Sequence, residues 1–168
     1  MDDSITCDVT RRRIELAAIL RLLEKKSHTT LGIDSFNSRL MIQKSVYLLK
    51  AMGYPPVKSY NFSSYLRGPY SPDLAEDYFA VCQEGYASEK GYANIPPDVL
   101  NPVVEGIKKG VLFLEAATTI HSIVKYNPHN SKNQIVTHVR FIKPHVNFVL
   151  EEAWRFLMNN GLISRRLT

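Results

Sequence analysis

The stretch DSFNSRLMIQKSVYLLKAM, residues 34–52, decides the fold, because its apolar side chains leave almost no polar face. Leu40, Met41, Ile42, Val46, Tyr47, Leu48, Leu49, Ala51 and Met52 cover most of a helical wheel. Only a narrow strip around Arg39, Gln43 and Lys50 is polar. A helix that is apolar nearly all round belongs in the middle of a core. Asp34 or Ser35 starts it, and Gly53 followed by Tyr54-Pro55-Pro56 stops it. Lys44 lies off the polar strip, among Leu40, Tyr47, Leu48 and Ala51, so its ammonium must snorkel out or find a carboxylate or carbonyl partner. The turn Gly68-Pro69-Tyr70, or the helix after it, is the expected partner.

Outward from this helix the pattern stays mostly helical. Residues 11–26, RRRIELAAILRLLEKK, carry a helical period with Thr10 as N-cap, and residues 1–9 are expected to be flexible. From Tyr60 to Arg67 the period switches to two, a short strand with Tyr60, Phe62 and Leu66 on one face. Its partner is sought in Val57-Lys58, in residues 86–95 or in another chain. Ser71-Pro72-Asp73 then opens a helix: the serine caps, the proline sits where a missing N–H costs nothing, and the aspartate suits the positive end. Residues 85–97, rich in Gly, Tyr and Pro, read as a mobile loop. A long helix from Asn101 to Tyr126, with breaks expected near Gly106 or Gly110, and helices over 131–142 and 146–159 complete the chain. The expectation is a single mainly α domain of about six helices with a minor β component, a short strand or hairpin.

The 168 residues suit one hydrophobic core. Hydrophobic content of 45% against 22% charged residues excludes global disorder. No apolar run approaches the roughly 20 residues that cross a bilayer, and Cys7 and Cys82 form neither a metal spacing nor a disulfide framework. A cytoplasmic protein without membrane contact is expected. The net charge of +5 favours anionic partners, though the Arg11-Arg12-Arg13 run reads first as a solvated face.

Chemistry is sparsely marked. His121, His138 and His145 fall in three different elements, which gives no metal spacing, and no nucleophile elbow or phosphate-cradling glycine loop occurs. No catalytic residue, metal or cofactor is expected. Asp73, Glu76 and Asp77 read as helix-start charges or as partners for Lys44 or Arg67, and Cys82 as a core residue at a helix end. For nucleic acid, the candidate contacts are Arg11, Arg12, Arg13, Lys58 and Arg67, with the tyrosines as stacking surfaces. An enzyme would need Lys44, Tyr47, Arg67, Tyr70 and one of Asp73, Glu76 or Asp77 to converge on a pocket.

The order Gln43-Lys44, Val46-Tyr47-Leu48, Tyr60-Asn61-Phe62 and Gly68-Pro69-Tyr70-Ser71-Pro72, all within Leu40 to Phe79, resembles the YwgA-like and Panacea-domain families, the latter SocA-like and phage-associated. Leu114-Glu115-Ala116-Ala117-Thr118 and the Lys143-Pro144 break before the last helix are similar to the YwgA side. The likeness is strongest over 36–83 and weaker over 111–163. It implies a small helical domain in proteins of which some act as antitoxins, or as adaptors that hand a toxin to a protease. It singles out Gln43, Lys44, Tyr47, Tyr65, Arg67, Gly68, Pro69, Tyr70 and Ser71 as binding positions, and a partner protein, toxin or otherwise, as the first expectation. A nucleic-acid-binding regulator, a homodimer and an uncharacterised enzyme stay open beside it.

Overall fold

The computed structural model describes residues 3–83 and 91–164, with the side chains of residues 3–7 outside the description. Seven α-helices and one hairpin make a mainly α fold: α1 (Asp3–Ser27), α2 (Phe36–Ala51), β1 (Ser63–Tyr65), β2 (Gly68–Tyr70), α3 (Pro72–Gln83), α4 (Pro97–Lys109), α5 (Val111–Tyr126), α6 (Lys132–Ile142) and α7 (Leu150–Asn159). Short 3-10 turns at Pro55–Val57 and Pro144–Val149 join α2 to the hairpin and α6 to α7. No helix among the described residues is long and apolar enough to cross a membrane.

Helix α2 is central, as its wheel requires. Ser35 caps it by accepting the Ser38 N–H at 3.0 Å, and every residue from Ile42 to Leu49 is buried. Helix α5 is the second hub and packs on α2, α4, α6, α7 and the hairpin. It is separated from α4 only by Gly110, whose φ of +98° lies where other residues are strained. Of the two glycines expected to break the long helix, this is the one that does. Helix α1 covers the outer side of α3 and α4. Ser131 and Gln134 form a reciprocal capping box at the start of α6.

Several expectations are corrected. With no glycine or proline in residues 3–10 to stop it, α1 begins at Asp3, so Thr10 lies inside the helix and is not its N-cap. Helix α4 starts at Pro97 rather than near Asn101, because Pro97 occupies the first helical position and Pro102 is tolerated inside. The strand is shorter than its alternating pattern: Tyr60 is buried and outside it, and Leu66, placed on one face with Tyr60, lies beyond its end and is 83% exposed. The strand's partner is neither Val57-Lys58 nor a remote segment but Gly68–Tyr70, in the antiparallel register Ser63 to Tyr70, Ser64 to Pro69 and Tyr65 to Gly68. Cys82 is exposed rather than part of the core. Of the loop expected over 85–97, residues 85–90 lie outside the described residues, 91–96 have no regular structure and Pro97 already belongs to α4.

Candidate functional site

A hairpin of three residues a side is too small to hold itself. Here the neighbouring helices hold its backbone with side chains. Gln43 of α2 acts as one more rung of sheet, its amide donating to the Ser71 carbonyl at 2.9 Å and accepting the Ser71 N–H at 3.0 Å. Lys44 donates to the Pro69 carbonyl at 2.7 Å, as the sequence reading expects of a lysine among apolar neighbours. Lys50 donates to the Tyr60 carbonyl at 2.5 Å, and Lys143, from the break after α6, donates to the Leu66 carbonyl. Ser71 caps α3 through the Leu74 N–H at 3.3 Å. Gln43, Lys44 and Ser71 are all buried, so each interaction replaces water that the backbone has lost.

Gly68 is the tightest point of the hairpin. Its φ is +85°, and a Cβ there would lie 2.6 Å from the Thr119 Oγ1 of α5 and 3.5 Å from the Lys44 Nζ. Only a residue without a side chain lets β2 sit against both helices. The Oγ1 of Thr119 is itself buried without a hydrogen-bond partner.

Beneath the hairpin tip lies a buried carboxylate. Glu115 of α5 is fully buried and receives Lys143 at 2.9 Å, Arg67 at 3.2 Å and His145 at 3.0 Å. The His145 Nε2 is also 3.1 Å from Arg67, but it cannot both donate to Glu115 and accept from Arg67. The carboxylate is the stronger acceptor, so the imidazole proton points to it. Burial pushes the Glu115 carboxyl up, yet the hydrogen bond and charge of Lys143, and then those of His145, outweigh it and hold the group below the usual carboxylate value. Lys143 turns inward because Pro144 denies it helical geometry: its φ of −139° and ψ of 65° end α6 there.

Lys44 lacks such a partner at contact distance. Burial, only partly offset by the attraction of Glu115 and aided by the repulsion of Lys143, brings its ammonium down to about 7. Around Glu115, two full cations, Arg67 and Lys143, and the partly protonated Lys44 therefore face one carboxylate.

Above this floor opens a groove of about 370 Å³ between α2, α3 and the hairpin. Leu40, Tyr70 and Tyr78 line it, Gln43 and Lys44 form its base, and Arg39 and Arg67 stand at its edge. Four large apolar side chains at its mouth are exposed: Phe36 at 53%, Tyr65 at 65%, Leu66 at 83% and Phe79 at 37%. Tyr65 leans on Tyr70 with ring centres 5.5 Å apart, and the Arg67 guanidinium lies 5.9 Å from the centre of the Phe36 ring.

Six of the nine motif positions, Gln43, Lys44, Tyr65, Arg67, Gly68 and Tyr70, thus meet at one groove. Tyr47 and Pro69 line a different cavity on the other side of the hairpin, and Ser71 is wholly structural. Lys44, Arg67 and Tyr70 converge as the enzyme reading requires, but Tyr47 does not join them and, among the described residues, no aspartate, glutamate or histidine lines the groove. Asp77 is elsewhere. Fully buried on α3, it holds Arg12 at 2.5 Å, Arg13 at 3.0 Å and the Tyr60 hydroxyl at 2.9 Å. Hydrogen bonding to Asp77 raises the Arg12 guanidinium further. So Arg12 and Arg13 are clamps between α1 and α3, not a solvated face, and Asp77 serves neither Lys44 nor Arg67. Arg11, Arg12 and Lys58 share one shallow surface cleft, but Asp8 and Glu15 line it too, and Arg11 pairs with Glu15 at 3.3 Å.

Sequence reasoning missed Glu115, Lys143 and His145 as a cluster, and Phe36, Leu66 and Phe79 as the rim. A glutamate within the apolar run LFLEAATTI was the available signal, since a carboxylate there must be paired if buried. No protein-family model, curated protein or solved structure matches the chain. Among the described residues no group of histidine, cysteine and carboxylate side chains is arranged to hold a metal ion.

Proposed function

We propose that this protein is a non-enzymatic interaction module, antitoxin-like or regulatory, that grips a segment of a partner protein in the hairpin groove. The observation that carries the reading is the exposure of Phe36, Tyr65, Leu66 and Phe79 around a groove whose base and edge are cationic. Leu66 at 83% and Tyr65 at 65% exposure leave most of their apolar surface in water, and contiguous exposed apolar side chains are characteristic of binding surfaces. The hairpin tip is fixed from below by Lys143 and Glu115, so the apolar side chains are presented without further ordering cost, which favours affinity.

The charge around the groove selects the partner's chemistry. Arg39, Lys44 and Arg67 line the groove and, among the described residues, no carboxylate does, so an approaching carboxylate is attracted and a basic segment repelled. The partner segment therefore carries bulky apolar side chains next to aspartate or glutamate. The resemblance to YwgA-like and Panacea-domain proteins supports a protein partner and, in its antitoxin form, a toxin.

Affinity capture from the native host with the wild type and with Leu66→Asp/Arg67→Glu tests this. A stoichiometric partner is retained by the wild type and lost by the variant, and its cross-linked segment is acidic and apolar. A partner held equally by both proteins, or no partner at all, overturns the assignment to this groove.

A further inference from the structure

On the opposite side of the hairpin from the groove, a second cavity of about 310 Å³ opens between α2 and α5. Its polar groups are of one electrical kind. Lys50 and Lys125 line it with His121 and Ser122, and among the described residues no aspartate or glutamate does. Among the described residues neither lysine has a carboxylate within ion-pair distance. Lys50 uses one N–H on the Tyr60 carbonyl, which leaves two for a ligand.

The remaining polar groups are uncharged at neutral pH. Burial, then the nearby positive charge of Lys125, lowers the His121 imidazole to about 4, so it is neutral at pH 7. Burial pushes the Tyr47 phenol up, so it keeps its proton, and its hydroxyl shares a hydrogen bond with the His121 Nδ1 at 2.7 Å. Lys50 too is lowered, by burial and then by Lys125. The positive charge of Lys125 thus falls on both Lys50 and His121, and a bound dianion between the two lysines would offset it. The aromatic rings of Phe62 and of Tyr126, itself 64% exposed, complete the walls.

We propose that this cavity is a binding site for a nucleoside monophosphate, its phosphate held between Lys50 and Lys125 and its base against Phe62 or Tyr126. Two lysines match a dianion better than a carboxylate, aromatic walls suit a planar base, and the volume, at the lower end for ligand pockets, admits one such molecule. The site is separate from the hairpin groove and does not depend on what that groove binds.

The test is an NMR titration of the full chain with AMP, GMP, inorganic phosphate and adenosine, following the His121 and Tyr126 ring signals. A monophosphate is expected to bind at least about tenfold more tightly than adenosine or inorganic phosphate, because each supplies half of the contacts. It is expected to move the His121 titration upward from about 4, and Lys125→Met, an exposed substitution, should weaken it at least about fivefold. Adenosine binding as tightly as AMP, an unchanged affinity in Lys125→Met, or no response to either monophosphate at roughly 10 mM overturns the proposal.

Discussion

Replacing Lys143 by Met tests whether the Glu115 cluster fixes the hairpin tip. Lys143 is 3% exposed and Glu115 fully buried, with 2.9 Å between the charges. The substitution keeps the aliphatic bulk and deletes the ammonium, leaving a desolvated carboxylate and a Leu66 carbonyl without their donor. Breaking a buried ion pair from one side costs about 3–5 kcal/mol. Arg67 and His145 still reach Glu115 at 3.2 and 3.0 Å, which places the loss near the lower end, about 3 kcal/mol. For a chain of this size that is a fall in Tm of about 6–12 °C. Chemical denaturation of the wild type, Lys143→Met, Glu115→Gln and the double variant gives the coupling. The double variant should lose about 1–3 kcal/mol less than the sum of the single losses, because its carboxylate and ammonium disappear together. A Lys143→Met loss under about 1 kcal/mol, or strictly additive losses, would refute the reasoning that this pair latches the tip.

Gly68→Ala should destabilise by at least about 2 kcal/mol, from the positive φ and the 2.6 Å approach to Thr119 together, and Thr119→Ala should recover only the steric part; thermal melts decide. Asp77→Asn strips the charge from the buried clamp on Arg12, Arg13 and Tyr60 and is expected to cost about 3 kcal/mol, read by urea unfolding. Lys44, brought down to about 7, binds fewer protons folded than unfolded between that value and the ordinary lysine value, so stability contributed at this position rises with pH across that window. The destabilisation by Lys44→Met should therefore be greater at pH 9 than at pH 6, by no more than about 1.4 kcal/mol per pH unit. Equal losses at the two pH values would place the ordinary lysine titration in the folded state.

What the sequence made legible followed local rules with a strong chemical cause. Helix α2 was readable from its all-round apolar wheel, the start of α3 from Ser71-Pro72-Asp73, and the link from Lys44 to the Gly68-Pro69-Tyr70 turn from a lysine surrounded by apolar neighbours. The hairpin was half legible. Alternation marked a strand, but the pairing partner lay only two residues away, and Gly68-Pro69 read as a corner because proline signals punctuation before it signals an edge strand. The clusters around Glu115 and Asp77 join residues 17 to 65 positions apart, and no periodicity carries such pairings. Arg67 pairs with Glu115, while the side chain of Leu66 at the tip stays 83% exposed.

The most direct test of the groove as a partner site is a selection of displayed random peptides of about 12 residues on the wild type, with Leu66→Asp/Arg67→Glu as the counter-target. Enrichment on the wild type alone of sequences that place large apolar residues beside aspartate or glutamate, cross-linking to residues around Tyr65 and Phe79, is the predicted result. Failure to enrich any sequence, or enriched peptides that are basic or bind the variant equally well, would contradict it.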